Sequence, residues 1–333
     1  MDKHMDKDKQ WKIFGAEMSP YSVKVRSYFR CKGLPHIWLQ RAAHQEEFAQ
    51  HAKLPIVPLV VAPNGEALQD STPIMDALEA RQSEPSCVPS DPLLAFVSVL
   101  LEEYADEWGN KLMFHFRWWD EVDRRAAARA LALSMTADKA QWDAAATMIY
   151  DRMTQRGHFV GSSKETAPLL DGYFDDATRL WEAHFAAHPF VLGARPSFAD
   201  FGVYAQFYEL YLDPGTGGRL RGFFPHILDH CHRMLWPRAE GKFAAWTELA
   251  PTLEPVVRNV GQFFLPWSAA NAKALEAGED NFAVELDGQT YQQPPQKYHA
   301  KSLRVLREKY RAVRTDALDA LMQTTGCLAY LEA

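Results

Sequence analysis

The chain of 333 residues is short of sulfur crosslinks, of positive charge and of long apolar runs. Its four cysteines, Cys31, Cys87, Cys231 and Cys327, are scattered without Cys-x-x-Cys spacing. That argues against a disulfide framework and favours a reducing compartment, the cytoplasm. Lys plus Arg number 36 against 43 for Asp plus Glu, a net charge of −7, which argues against a nucleic-acid surface. No window approaches the ~20 uninterrupted apolar residues that span a bilayer, so no membrane partner is expected. The opening MDKHMDKDKQ has no apolar stretch of the kind a secretory leader needs, and reads as a solvated tail. No internal repeat is visible. His184/His188 and His226/His230 stand at helical spacing without the His-Glu-x-x-His context, so no metal is expected. Gly215, Gly217 and Gly218 lack the Lys-Ser/Thr that completes a phosphate loop.

What is present divides in two. In the first ninety residues, strand-like runs alternate with helical ones. Trp11–Gly15 and His36–Gln40 read as strands, and Ser19-Pro20 opens a helix that Gly33 and Pro35 close. Pro58–Ala62 and Glu66–Leu68 flank Asn64-Gly65, a hairpin signal in which both turn positions take positive φ. Asp70-Ser71-Thr72-Pro73 starts a further helix running to about Gln82. The order β-α-β-α-β-β-α predicts a small mixed sheet with helices on its faces. A proline-rich connector, Glu84 to Pro92, follows. Beyond it the period is helical. One long helix is predicted from Leu93 to about Trp119, then helices near 137–156, 168–187, 198–212 and 220–236. The stretch 243–333 reads as three helical pieces broken by a polar loop between Asp280 and Pro295. Residues 11–84 and 91–333 are thus expected to form an α/β and an all-helical domain, the latter extended from about residue 240.

With these motifs the chain resembles the cytosolic glutathione S-transferases, which join a thioredoxin-like domain to a helical one. Four stretches carry the resemblance: Ser19-Pro20-Tyr21-Ser22-Val23-Lys24-Val25-Arg26; Ile56-Val57-Pro58-Leu59; Gln69-Asp70-Ser71-Thr72-Pro73-Ile74; and Leu192-Gly193-Ala194-Arg195-Pro196-Ser197-Phe198-Ala199-Asp200. They fall in family order over roughly residues 11–237. The remainder matches nothing in the family pattern.

The resemblance implies that glutathione is the co-substrate and that Ser19 is the catalytic hydroxyl. A hydroxyl at a helix N-terminus sits where free N–H groups and the helix dipole favour a thiolate. Ser19 also suits a plain helix cap, and Tyr21 and Ser22 compete for the thiol contact. Relatives that form a mixed disulfide carry Cys where this chain has Ser19, so thiol–disulfide chemistry is disfavoured at this position. The resemblance further implies a cis Val57–Pro58 bond offering Val57 backbone groups to the cysteinyl part of glutathione. Ile56 replaces the Gln or Lys of many relatives, so the contact to the glycine carboxylate is missing or supplied by Lys53. Ser71 and nearby N–H groups would hold the γ-glutamyl carboxylate and Asp70 its ammonium, with Gln69 assisting. Asp and Ser before Pro are equally ordinary helix-start chemistry.

Ser197 and Asp200 fit a reciprocal helix cap and read as structural. For the second substrate, a hydrophobic electrophile, Tyr104 and Trp108 are the candidates, although aromatics at helical spacing usually pack. The family implies a homodimer. Rival readings are a non-catalytic glutathione- or ligand-binding protein with the same fold, or an assembly module. Gln292 to His299, polar and aromatic, is a candidate lid or a plain surface loop.

Overall fold

The computed structural model describes residues 10–333, so the tail expected at the start lies outside the described residues. β1 (Trp11–Gly15), β2 (His36–Gln40), β3 (Leu59–Val61) and β4 (Ala67–Gln69) form one mixed sheet in the order β2-β1-β3-β4. β1 runs parallel to β2 and antiparallel to β3, and β3 is antiparallel to β4. Helices α1 (Pro20–Cys31), α2 (Gln45–His51) and α3 (Ser71–Arg81) complete a thioredoxin-like unit. Ile13 and Val60 are buried on one sheet face with α1 and α3, and Phe14, Leu59 and Val61 on the other with Phe48 of α2, the alternation that a twice-covered sheet imposes. The β3–β4 turn departs from expectation. Only Gly65 takes positive φ, at 85°, and the turn closes through Gly65 N–H to the Ala62 carbonyl at 2.9 Å.

The rest of the chain is largely helical. The predicted helix 93–119 is two, α4 (Pro92–Tyr104) and α5 (Asn110–Trp119), joined by a π-helical turn at Ala105–Gly109. Such turns add a residue to the helical circuit and re-aim side chains, commonly at functional sites. An unforeseen α6 (Glu121–Met135) makes a hairpin with α7 (Trp142–Thr154). Then come α8 (Ala167–Ala187), α9 (Phe198–Leu212), α10 (Pro214–Phe223) and α11 (Pro225–Leu235). The single helix expected near 220–236 is divided at Phe224-Pro225, where proline cannot continue the hydrogen-bond ladder.

The C-terminal part holds α12 (Trp246–Asn259), a second π-helical turn, α13 (Leu265–Ala277), and then α14 (Lys297–Ala312), α15 (Asp316–Thr324) and α16 (Leu328–Glu332). Between α13 and α14 the expected polar loop is a hairpin, β5 (Phe282–Leu286) with β6 (Gln289–Gln293), turning on Asp287-Gly288, both at positive φ. Its alternate residues Phe282, Leu286, Tyr291 and Gln293 are buried, and they seat it on the helical core.

Candidate functional site

The sheet register brings three chain segments to one edge. Phe14 pairs with Leu59, and Leu59 with Gln69. The chain therefore leaves β1 toward Ser19, enters β3 from Pro58 and leaves β4 toward Asp70 at the same end of the sheet. A direct bond ties two of them: Asp70 N–H donates to the Pro58 carbonyl at 3.3 Å. The Val57–Pro58 bond is cis. Among the described residues, neither the N–H nor the carbonyl of Val57 has a protein partner.

Ser19 is the N-cap of α1, half-buried, its Oγ accepting from Ser22 N–H at a long 3.3 Å. Asp70 precedes α3 with φ 80° and caps nothing with its side chain. With ψ at 136° the residue lies outside the left-handed helical region that Asp tolerates and close to one that is essentially glycine's, so Asp70 is held there under strain. Ser71 is buried, with no hydroxyl bond among the described residues.

Two expected ligand residues, Tyr21 and Gln69, are committed to other partners, and a third, Ser22, is buried. Ser22 is fully buried, and its Oγ has no partner among the described residues. Tyr21 donates its hydroxyl to the Asp106 carbonyl at 2.9 Å. Burial, reinforced by Glu107 and Asp106, pushes its pKa well above the ordinary phenol value, so it stays protonated. Gln69 spends its whole amide on the loop before Pro58: Nε2 donates to the carbonyls of Leu54 (2.7 Å) and Ile56 (2.8 Å), and Oε1 accepts from the N–H groups of Lys53 (3.2 Å) and Leu54 (3.1 Å). It shapes the loop and has nothing left for a ligand. Lys53 itself is exposed beside that loop.

Tyr104 and Trp108 are both buried among other aromatic side chains. Tyr104 is buried with its hydroxyl 2.6 Å from that of Tyr173, and Trp108 packs fully buried against Tyr173, Trp267 and Tyr291. The π-helical turn aims them into the helical core.

The sequence reading missed three features. Lys24, on the buried face of α1, lies 2.5 Å from both Glu102 and Asp106 and bonds Thr72 Oγ1 at 3.2 Å. Burial alone lowers a lysine pKa, but here the two carboxylates outweigh it and hold Lys24 charged. Burial lifts Asp106 to about 7 despite Lys24, and Glu107 to about 8 despite Lys111, whose own pKa burial lowers to about 7. Second, Arg117 on α5, buried between Glu209 and Asp213 at 2.8 Å each, donates to the carbonyl of Met18, directly before Ser19. Third, α14 crosses the Asp70 side: Tyr298 Oη donates to Asp70 at 3.1 Å, Ser302 bonds Glu103 and His299 meets Glu107. A cavity of about 110 Å³ lies between α3, α4 and α14, where carboxylates of α3 and α4 face Lys301, Lys309 and apolar side chains of α14. The run Glu102-Glu103…Asp106-Glu107 was visible at helical spacing, but such a pattern normally marks a solvated face.

This is a thioredoxin-like domain in which two helix starts and an extended segment without backbone partners meet at one sheet edge. Residues 13–86 match the family model described as glutathione S-transferase, N-terminal domain; the match covers this domain and not the helical remainder. No curated protein matches the sequence. Among solved structures, a glutathione S-transferase from Methylobacillus flagellatus with GSH bound is 18% identical, over 68% of this chain and 95% of its own, with a TM-score of 0.41. One from Methylobacterium radiotolerans, in complex with glutathione sulfonate, is 17% identical over 71% and 99%, TM-score 0.41. A beta-etherase from a Sphingobium species is 18% identical over 68% and 94%, TM-score 0.45.

Proposed function

We propose that the protein is a glutathione transferase that activates the glutathione thiol for attack on a hydrophobic electrophile. The observation that carries this is the shared row Phe14–Leu59–Gln69, which brings Ser19, Val57 and Asp70-Ser71 to one sheet edge. Glutathione would lie extended across it. Ser19 Oγ donates to the sulfur, and the α1 N-terminus favours the thiolate. The free N–H and carbonyl of Val57 pair with the cysteinyl unit as an added strand. Ser71 and the first N–H groups of α3 take the γ-glutamyl carboxylate, Asp70 takes the ammonium, and Lys53 reaches the glycine carboxylate. Rate enhancement comes from thiol ionisation and from holding the two reactants together. No metal enters this scheme. A homodimer in the cytoplasm completes the reading, with sedimentation mass as the check on assembly.

The deciding experiment is a glutathione titration of wild type and Ser19→Ala, following binding heat and the ultraviolet absorbance of the bound thiolate. The proposal expects a thiolate near neutral pH that disappears in Ser19→Ala while binding persists. Binding without thiolate in wild type would make the protein a carrier instead. No binding at millimolar glutathione would end the proposal.

A further inference from the structure

Cys31 and Cys87 are 56 positions apart in the chain, yet their Sγ atoms lie 3.8 Å from each other, in contact. Cys31 is the last residue of α1, and Cys87 sits in the connector after α3, outside any helix or strand. Both are free thiols and both are buried. The two backbone segments are pinned together around the sulfurs. Lys32 Nζ, next to Cys31, donates to the carbonyls of Ser83 (3.1 Å) and Pro85 (2.8 Å). Glu79, near the end of α3, accepts from the Cys87 N–H at 3.0 Å and from the Tyr28 hydroxyl of α1 at 2.5 Å. The other two cysteines have different surroundings: Cys231 is buried on α11, and Cys327, just before α16, donates to the Val257 carbonyl at 3.6 Å.

A disulfide needs its sulfurs at about 2.0 Å, a closure of roughly 2 Å that rotation of the two side chains supplies. One partner ends a helix and the other lies in irregular chain, so no backbone ladder resists the adjustment. Held in register in this way, the sulfurs have a high effective concentration toward each other. That favours one internal disulfide over separate adducts with a small thiol. Cys31 keeps 7% of its surface exposed and Cys87 none, so an incoming reagent meets Cys31 first. The contact with Cys31 and burial together push the Cys87 thiol well above its ordinary value. Cys87 therefore stays protonated at neutral pH, and the step in which it attacks is the slow one.

We propose that Cys31 and Cys87 are a reversible dithiol–disulfide pair, oxidised by glutathione disulfide, that clasps the end of α1 to the connector. Cys31 gives up its proton and attacks one sulfur of the oxidant, releasing a first glutathione thiolate that takes a proton. Cys87 then attacks the Cys31 sulfur of this mixed disulfide, and a second glutathione leaves with the second proton. Two protein thiols are oxidised to one disulfide, and glutathione disulfide is reduced to two glutathione molecules. The closed loop contains β2, α2, β3, β4 and α3, so the bond staples most of the sheet domain and restricts its unfolded chain. The pair lies at the opposite end of α1 from Ser19, and the clasp stands whether or not Ser19 holds a thiolate.

The test equilibrates the full-length protein, without any electrophile, in glutathione and glutathione disulfide mixtures running from fully reduced to fully oxidised. Remaining thiols are trapped with a maleimide in denaturant and counted by intact mass. The count is expected to fall from four to two in one step, with the loss of two hydrogens, no retained glutathione, and a proteolytic peptide joining Cys31 to Cys87. Excess dithiothreitol should restore all four. Cys87→Ala should stop at the mixed disulfide, leaving one glutathione on Cys31. Oxidised wild type should melt several degrees above the reduced form. A count that stays at four in glutathione disulfide alone, a glutathione adduct persisting on wild-type Cys31, a bridge that includes Cys231 or Cys327, or a midpoint that does not rise would each overturn the inference. The wild-type peptide map decides the pairing even if Cys87→Ala fails to fold.

Discussion

Two helix starts in this molecule are written in almost the same residues and do opposite things. At the start of α9, the Asp200 carboxylate accepts from Ser197 N–H (2.7 Å), Ser197 Oγ (2.8 Å) and Val191 N–H (2.8 Å), and lies 3.0 Å from His230 Nε2. Ser197, Asp200 and His230 are fully buried. Every acceptor site is spent on the fold. At the start of α3, Asp70 caps nothing with its side chain, which among the described residues bonds the hydroxyl of Tyr298 alone. At α1, Ser19 makes one long bond. The difference is satisfaction, not residue type: a saturated cap stabilises, and an unsaturated one is available to a ligand.

That contrast can be broken experimentally, and the largest effect belongs to the saturated start. Asp200→Ala strands His230 and the Val191 and Ser197 N–H groups in the core and should cost about 3–5 kcal/mol in denaturant unfolding. The bound-thiolate signal per folded molecule should not change; its loss would merge the two kinds of start. Ser19→Ala should do the reverse, removing roughly a hundredfold in thiolate formation or turnover for only about 0.5–1 kcal/mol of stability. Asp70→Asn keeps the size and shape of the side chain, so stability should hold while glutathione affinity drops roughly tenfold. An analogue lacking the γ-glutamyl amine should not sense the change.

A third acidic position sharpens the comparison through pH. Burial lifts Glu107 to about 8. Between its ordinary value of about 4.5 and 8, the folded state holds a proton that the unfolded state has released, so this group costs stability as pH rises. Wild type should therefore lose about 2 kcal/mol relative to Glu107→Gln between pH 6 and 7.5, read from urea midpoints. A flat difference would mean that Glu107 is already ionised and paired. The smallest effect expected is Tyr298→Phe, which frees Asp70 and should change glutathione affinity only about twofold to threefold. A large loss would instead make the α14 hydroxyl a direct ligand of the tripeptide.

The sequence signals that proved readable were local ones. Ser-Pro, Asn-Gly and Asp-Ser-Thr-Pro each act through the backbone of their own few residues, and α1, the β3–β4 hairpin and α3 stand where those signals point. Asp287-Gly288 is a hairpin signal set among mostly polar residues; Phe282, Leu286, Tyr291 and Gln293 reach the core. What could not be read depends on long-range partners. Nothing near Lys24 in the sequence announces that Glu102 and Asp106 will enclose it, and nothing near Trp108 announces the π-helical turn that buries it. The division of Gln69, Tyr21 and Ser22 from Ser19 and Asp70 has the same origin. All five sit at the expected edge, but whether a polar group is free depends on what the rest of the chain brings to it.

The clamp on α1 has a dynamic consequence. Lys24 bolts the helix to α4, while Ser27 Oγ and Arg30 reach the carbonyls of Met234 and Leu235 at the end of α11. The element whose first turn holds the proposed nucleophile's partner thus belongs mechanically to the helical half as much as to the sheet. Its amides should exchange with solvent only when the whole molecule opens, and calorimetry should record one cooperative melting event for both halves. A thiol seated on Ser19 would then experience a frame whose breathing is set by the entire chain, which keeps the sulfur's neighbours in place on the timescale of turnover.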